Sequence, residues 1–119
     1  MKRNYYKKLT IYLESLELAK DITSGIYNRR SFRLVEQIIS SAVSIPSNIA
    51  EGSQMNTVSH FKKYLFIASS SAAELETQLT IIQTISETNN TAINTWIYRT
   101  NKIQSMIRGL IKYLDDNNK

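Results

Sequence analysis

Apolar residues return every third or fourth position along almost all of this 119-residue chain, and only one proline interrupts them. That period places side chains on one face of an α-helix and does not fit the twofold alternation of a strand. Leu9, Tyr12, Leu16, Ala19, Ile22 and Ile26 form the first stripe. Phe32, Val35, Ile38/Ile39, Ala42, Ile45 and Ile49 form the second, with Ser31 as a candidate N-cap. Phe61, Tyr64/Leu65, Ala68, Ala72, Leu75, Leu79 and Ile82 form the third, behind Ser59 as a cap. Ile93, Trp96, Thr100, Ile103, Ile107, Leu110/Ile111 and Leu114 form the fourth, behind Thr91. The pattern predicts helices over Leu9–Tyr27, Phe32–Glu51, His60–Glu87 and Ala92–Leu114. Pro46 predicts a kink or a new start inside the second, and Gly52 its end.

Four such helices joined by short turns predict an all-α protein, by default an antiparallel up-down-up-down four-helix bundle. A helical hairpin array completed by neighbouring chains fits the same pattern. The three glycines and one proline are too few for the turns of a β-sandwich or barrel. Residues 1–119 read as a single domain, with a basic arm over 1–8 and a polar tail over 115–119. Ser69-Ser70-Ser71-Ala72-Ala73 predicts a place where another backbone comes close. Trp96, Phe66 and Ile81 are expected to lie off the main apolar stripes, and apolar surface left over there favours self-association.

The chain has no cysteine and one histidine, which removes thiolate chemistry and rests any triad or His-rich metal site on His60 alone. No glycine-rich phosphate loop, HExxH or GxSxG occurs. Glu74 and Glu76 diverge around a helix and do not make a carboxylate dyad. The expectation is a non-enzyme with no cofactor and no metal. No apolar run approaches the ~18 residues of a membrane span, and no signal-peptide core follows the basic start. A cytoplasmic protein without a membrane partner is expected.

Charge is unevenly placed. Lys2, Arg3, Lys7 and Lys8 supply four positive charges, and eleven basic against ten acidic groups remain behind them. Tyr5 and Tyr6 stand among those cations, a pairing that suits either stacking on unpaired bases or packing onto the bundle. Lys62 and Lys63 follow His60 at the positive end of a helix dipole, where an anion is favoured. Helix four carries Arg99, Lys102, Arg108 and Lys112 with no acid between Thr91 and Leu114. Helical spacing sets Arg99/Lys102 and Arg108/Lys112 on opposite flanks of its apolar face. Lys2, Arg3, Lys7, Lys8, Lys62, Lys63, Arg99 and Lys102 are the candidate phosphate contacts.

Ser44 to Gly52 reads SIPSNIAEG, and Glu74 to Leu79 reads ELETQL. With Leu9-Thr10-Ile11-Tyr12 and Phe61, Tyr64-Leu65, Ile67-Ala68, this resembles the four-helix bundle protein family, also called the 23S ribosomal RNA intervening sequence protein family. The resemblance covers about Tyr5 to Leu114. It implies an antiparallel four-helix protomer and a ring-like homo-oligomer, with pentamers known. Members are often encoded inside intervening sequences of bacterial large-subunit rRNA genes and have no associated enzymatic activity. A related branch, the accessory protein of diversity-generating retroelements, binds nucleic acid and a reverse transcriptase. Relatives commonly read QIRRAAVSIP where this chain has Ile39 and Ser40 for the paired arginines, which shifts any phosphate contact to the arm and helix four.

The signature also has an architectural reading. Pro46 leaves the Ala42 carbonyl without its helix bond, and Ser44, Ser47 and Asn48 are short polar groups able to repair such a site. Glu51, Glu74 and Gln78 are expected to complete a buried network between helices two and three. The function expected is a non-catalytic oligomer that binds RNA or another nucleic acid weakly. The alternative is an oligomeric scaffold for a protein partner, such as a reverse transcriptase, without direct nucleic-acid contact.

Overall fold

In the computed structural model, which describes residues 9–28, 31–85 and 91–117, the described residues form four α-helices and no strand. They are α1 (Thr10–Gly25), α2 (Phe32–Ser53), α3 (Val58–Ile85) and α4 (Thr91–Asp116). The arm with Lys2, Arg3, Tyr5, Tyr6, Lys7 and Lys8, and the expected break over Glu87–Asn90, lie outside the described residues. Each helix packs on its neighbours in chain order, and α4 closes on α1. The molecule is elongated, 50 × 23 × 20 Å.

One aliphatic core fills the space between the helices. Leu18 and Ile22 from α1, Ile38, Ile45 and Ile49 from α2, Leu65, Leu75 and Leu79 from α3, and Ile103 and Ile107 from α4 are fully buried. Burial of each such side chain contributes about 1.5–3 kcal/mol. Trp96 is buried against this core, so the expectation that it stands off the stripe is corrected. Phe66 and Ile81 do remain outside, 55% and 46% exposed.

On α1 the buried line runs through Ile11, Ser15, Leu18 and Ile22, while Tyr12 and Leu16 are half-buried. The predicted stripe is therefore rotated by part of a turn. Ser15 enters the core side because its hydroxyl donates to the Tyr12 carbonyl at 3.1 Å, which satisfies it within the helix. Helix α1 ends at Gly25, short of Tyr27, as Ile26 turns extended and its N–H bonds the Ile22 carbonyl at 2.9 Å.

Helix α2 runs unbroken through Pro46 to Ser53, two residues past the predicted end. Ser31 precedes it but makes no side-chain cap bond. Helix α3 starts at Val58, and its cap is Thr57 in place of the expected Ser59. The Thr57 hydroxyl accepts the His60 N–H at 3.1 Å, and the Thr57 carbonyl accepts that of Phe61 at 3.1 Å.

Candidate nucleic-acid interface

The cations on the folded helices divide into those already matched by a carboxylate and those that are not. Arg99 donates from Nη1 to Asp21 Oδ2 at 2.7 Å and joins α4 to the end of α1. Lys62 pairs with Asp115 and joins the start of α3 to the end of α4. Lys63 and Lys102 are exposed and have no carboxylate partner among the described residues. Along α4, Arg99 and Asp115 are separated by about 24 Å at ~1.5 Å per residue. Lys62 and Arg99 therefore belong to opposite ends of the molecule and do not share one patch.

The α4 cations keep two opposite flanks, Arg99 and Lys102 on one and Arg108 and Lys112 on the other, but they differ in how open they are. Arg99 is drawn towards α1, whereas Lys102, Arg108 and Lys112 are all exposed. At ~100° per residue, Lys102 and Lys112 lie on either side of the helix's outer midline, and Arg108 lies beyond Lys112. Tyr98 and Tyr113 stand on the same outer face, 70% and 61% exposed. Among the described residues, the Arg108 guanidinium donates to the Ser105 hydroxyl at 3.3 Å and to no carboxylate. Between the start of α3 and the end of α4, a cleft of about 710 Å³ brings Lys62, Arg108 and Lys112 near Asp115 and Asp116. The two carboxylates offset most of the charge there.

The signature residues Ser44, Pro46, Ser47 and Asn48 are brought together along α2 against α3, while Glu51, Glu74 and Gln78 stay out of their network. Ser44 and Ser71 share a hydrogen bond of 2.8 Å between their hydroxyls, directly across the helix pair. Asn48 donates from Nδ2 to the Ser44 carbonyl at 2.8 Å and to its hydroxyl at 2.9 Å. Ser47 donates to the Val43 carbonyl at 2.8 Å. Side chains thus reinforce the carbonyls next to the one that Pro46 leaves unbonded. Pro46 itself is buried and lines an apolar groove of about 630 Å³ with Leu16, Ala19 and Val43.

Glu51 and Glu74 are exposed and take no part in this network, which corrects the expectation for both. A carboxylate keeps its hydration on the outer face, which avoids the cost of burying an unpaired charge. Gln78 is half-buried, and its Oε1 is buried without a hydrogen-bond partner. Such an atom costs about 1–3 kcal/mol.

Gly52 has a packing role. A Cβ there would lie 2.6 Å from Tyr64 Cβ and 3.1 Å from Phe61 Cδ1. The glycine is needed for close approach of α2 to α3, not as the left-handed end of a helix.

Sequence reasoning missed Ser71 as the partner of Ser44, although the small-residue run around it was visible. It also missed Tyr98 and Tyr113. Their signal was two aromatics on one helix with cations between them, away from the apolar stripe. Among the described residues no three His, Cys, Asp or Glu side chains gather as a metal-ligand set.

Compared with known protein families, residues 7–109 match the 23S rRNA-intervening sequence protein family. The chain belongs to this family. The match takes in the whole α2–α3 seam with Ser44, Asn48 and Ser71, and extends along α4 past Lys102. A protein with unknown function from the S23 ribosomal protein family of Bacteroides thetaiotaomicron has a similar crystal structure, with a TM-score of 0.80. The similarity covers 87% of this chain and 99% of that one, at 24% sequence identity, and concerns the fold alone. No curated protein matches the chain at a significant level. Among the described residues, no helix of this family member is long and apolar enough to cross a membrane.

Proposed function

We propose that this protein is a non-catalytic, cytoplasmic, ring-like homo-oligomer, pentameric as its family resemblance suggests, that binds RNA or another nucleic acid. The protomer in this reading is an antiparallel up-down-up-down bundle. The ties between chain ends support it: Asp21 with Arg99, Gly52 against Phe61 and Tyr64, Lys62 with Asp115. Self-association is supported by the apolar side chains that α3 leaves outside, Phe66 and Ile81, together with Ile85 at 54% exposed.

The observation that carries the nucleic-acid reading is the absence of any acid between Thr91 and Leu114 beside the exposed cations Lys102, Arg108 and Lys112. Phosphate contacts release counterions, so affinity for a single strand falls with salt at a log–log slope of about 0.7 per contact. The test is fluorescence anisotropy with labelled RNA over a salt series, on the wild type, a chain without Met1–Lys8, and K102Q/K112Q. Both variants are expected to bind more weakly with shallower slopes, the deletion more so. Absence of wild-type binding at low salt overturns the reading.

A scaffold for a protein partner such as a reverse transcriptase is the second reading. The apolar groove between α1 and α2, lined by Leu16, Ala19, Val43 and Pro46, favours it. For assembly, light scattering should give a multiple of the protomer mass, and F66E/I81E should reduce it.

A further inference from the structure

We propose that the outer face of α4 is a stacking platform for an unpaired nucleic-acid strand, with Tyr98 and Tyr113 as base-stacking side chains and Lys102 and Lys112 as phosphate contacts. The proposal rests on the nucleic-acid reading above and narrows it to one surface and one strand state.

Four observations converge on this face. First, Tyr98 and Tyr113 are among the most exposed aromatic rings of the described residues. Neither adds to the core, so each leaves a large apolar ring face in water. Second, Lys102 and Lys112 are exposed between them; Lys102 has no carboxylate partner among the described residues, while Lys112 also borders the cleft that holds Asp115 and Asp116. Third, Tyr98, Lys102, Ser105, Gly109, Lys112 and Tyr113 fall within an arc of about 100° on one helix. A single ligand lying along the axis meets all six.

The fourth observation is Gly109. A Cβ added there would meet nothing within 4 Å. Glycine weakens a helix interior, and nothing in the chain requires one here. With Ser105 one turn earlier, it makes a low strip between the two tyrosines where a ribose or base can approach the backbone.

The dimensions agree. Tyr98 and Tyr113 are about 22 Å apart along the helix. A stacked strand of about six nucleotides spans that length at ~3.4 Å each. Every base has a π-face, so tyrosines between lysines bind single strands with little sequence preference. In a duplex those faces are already stacked, and only the phosphate contacts remain.

The test uses the full chain and a fluorescein-labelled single-stranded oligouridylate of about ten nucleotides, with a duplex RNA hairpin as the comparison. Y98A and Y113A should each weaken single-strand binding about 5-fold or more. Their salt slope should stay unchanged, because no phosphate contact is lost. Y98F should bind like the wild type, since the ring is kept. K102Q should reduce the slope by about 0.7. G109L, which suits a helix better than glycine and whose Cβ meets nothing within 4 Å, should weaken binding by blocking the strip. Wild-type affinity in Y98A/Y113A, or a hairpin bound as tightly as the single strand, overturns the platform and leaves the broader function standing. No wild-type binding to either RNA overturns both.

Discussion

The seam between α2 and α3 and the outer face of α4 use the same kinds of residue in opposite ways. Each has a glycine inside a helix. At Gly52 a Cβ would fall 2.6 Å from Tyr64 Cβ and 3.3 Å from the Phe61 carbonyl oxygen, whereas at Gly109 it would meet nothing within 4 Å. Each has small hydroxyl residues. Ser44 and Ser71 use theirs across the seam at 2.8 Å, while Ser105 meets only the neighbouring Arg108 on its own helix. The seam contains the SIPSNIAEG and ELETQL segments, and the polar groups of Ser44, Ser47 and Asn48 are consumed inside the protomer. On the α4 face Tyr98, Lys102, Lys112 and Tyr113 are left open. A distinctive motif can therefore be a packing device, while the surface able to act on a partner lies on another helix.

This contrast can be broken by substitution. The largest effect is expected inside the seam's core. Ile49→Ala removes a fully buried side chain and should lower stability by about 2–5 kcal/mol in urea unfolding, against ~0.5 kcal/mol or less for Tyr98→Ala. Gly52→Ala should cost about 1–3 kcal/mol, because Tyr64 Cβ and the Phe61 backbone must move apart. A Gly52→Ala chain as stable as the wild type would show that the seam is not tightly closed.

Ser71→Ala should cost about 1 kcal/mol, a modest loss because the Ser44 hydroxyl keeps its bond from Asn48 Nδ2. Gly109→Ala should act in the other direction and raise stability by roughly 0.8 kcal/mol, with a higher melting temperature in differential scanning calorimetry. A loss of stability there would mean that Gly109 is covered, by a second protomer for instance. The smallest effect is expected from Asp21→Asn. It removes a pair whose carboxylate is half-exposed, and should cost about 0.2–1 kcal/mol, less at high salt.

Much of this architecture was legible because apolar spacing reports which residues meet the core. The α3 stripe from Phe61 to Ile82 is buried residue for residue except at Tyr64, which is half-buried. Helix ends were less legible. Thr57 and Ser59 are both able to cap, and the choice depends on where the backbone turns helical; here Thr57 accepts the His60 N–H three residues on. The network around Pro46 was half legible. Ser44, Ser47 and Asn48 act within α2, where spacing in the sequence equals spacing in the helix. Ser71, Glu51 and Glu74 depend on the rotation of α3 against α2, which no single-helix pattern encodes. The α4 cations misled for a related reason: Arg99 was counted with Lys102 until Asp21, far away in sequence, was seen to engage it.

The Gly52 approach also bears on the order in which the chain folds. The close approach of Gly52 to Phe61 and Tyr64, and of Ser44 to Ser71 only 27 positions away, joins segments near in sequence, so little loop entropy is lost in forming them. The Asp21–Arg99 tie spans 78 positions and closes most of the chain. We therefore expect the α2–α3 hairpin to be the folding nucleus and α1 to dock on α4 late. In stopped-flow measurements Ser71→Ala should slow folding, and Asp21→Asn should chiefly speed unfolding. A residue that looked like a helix stop would then set the pace at which the whole bundle assembles.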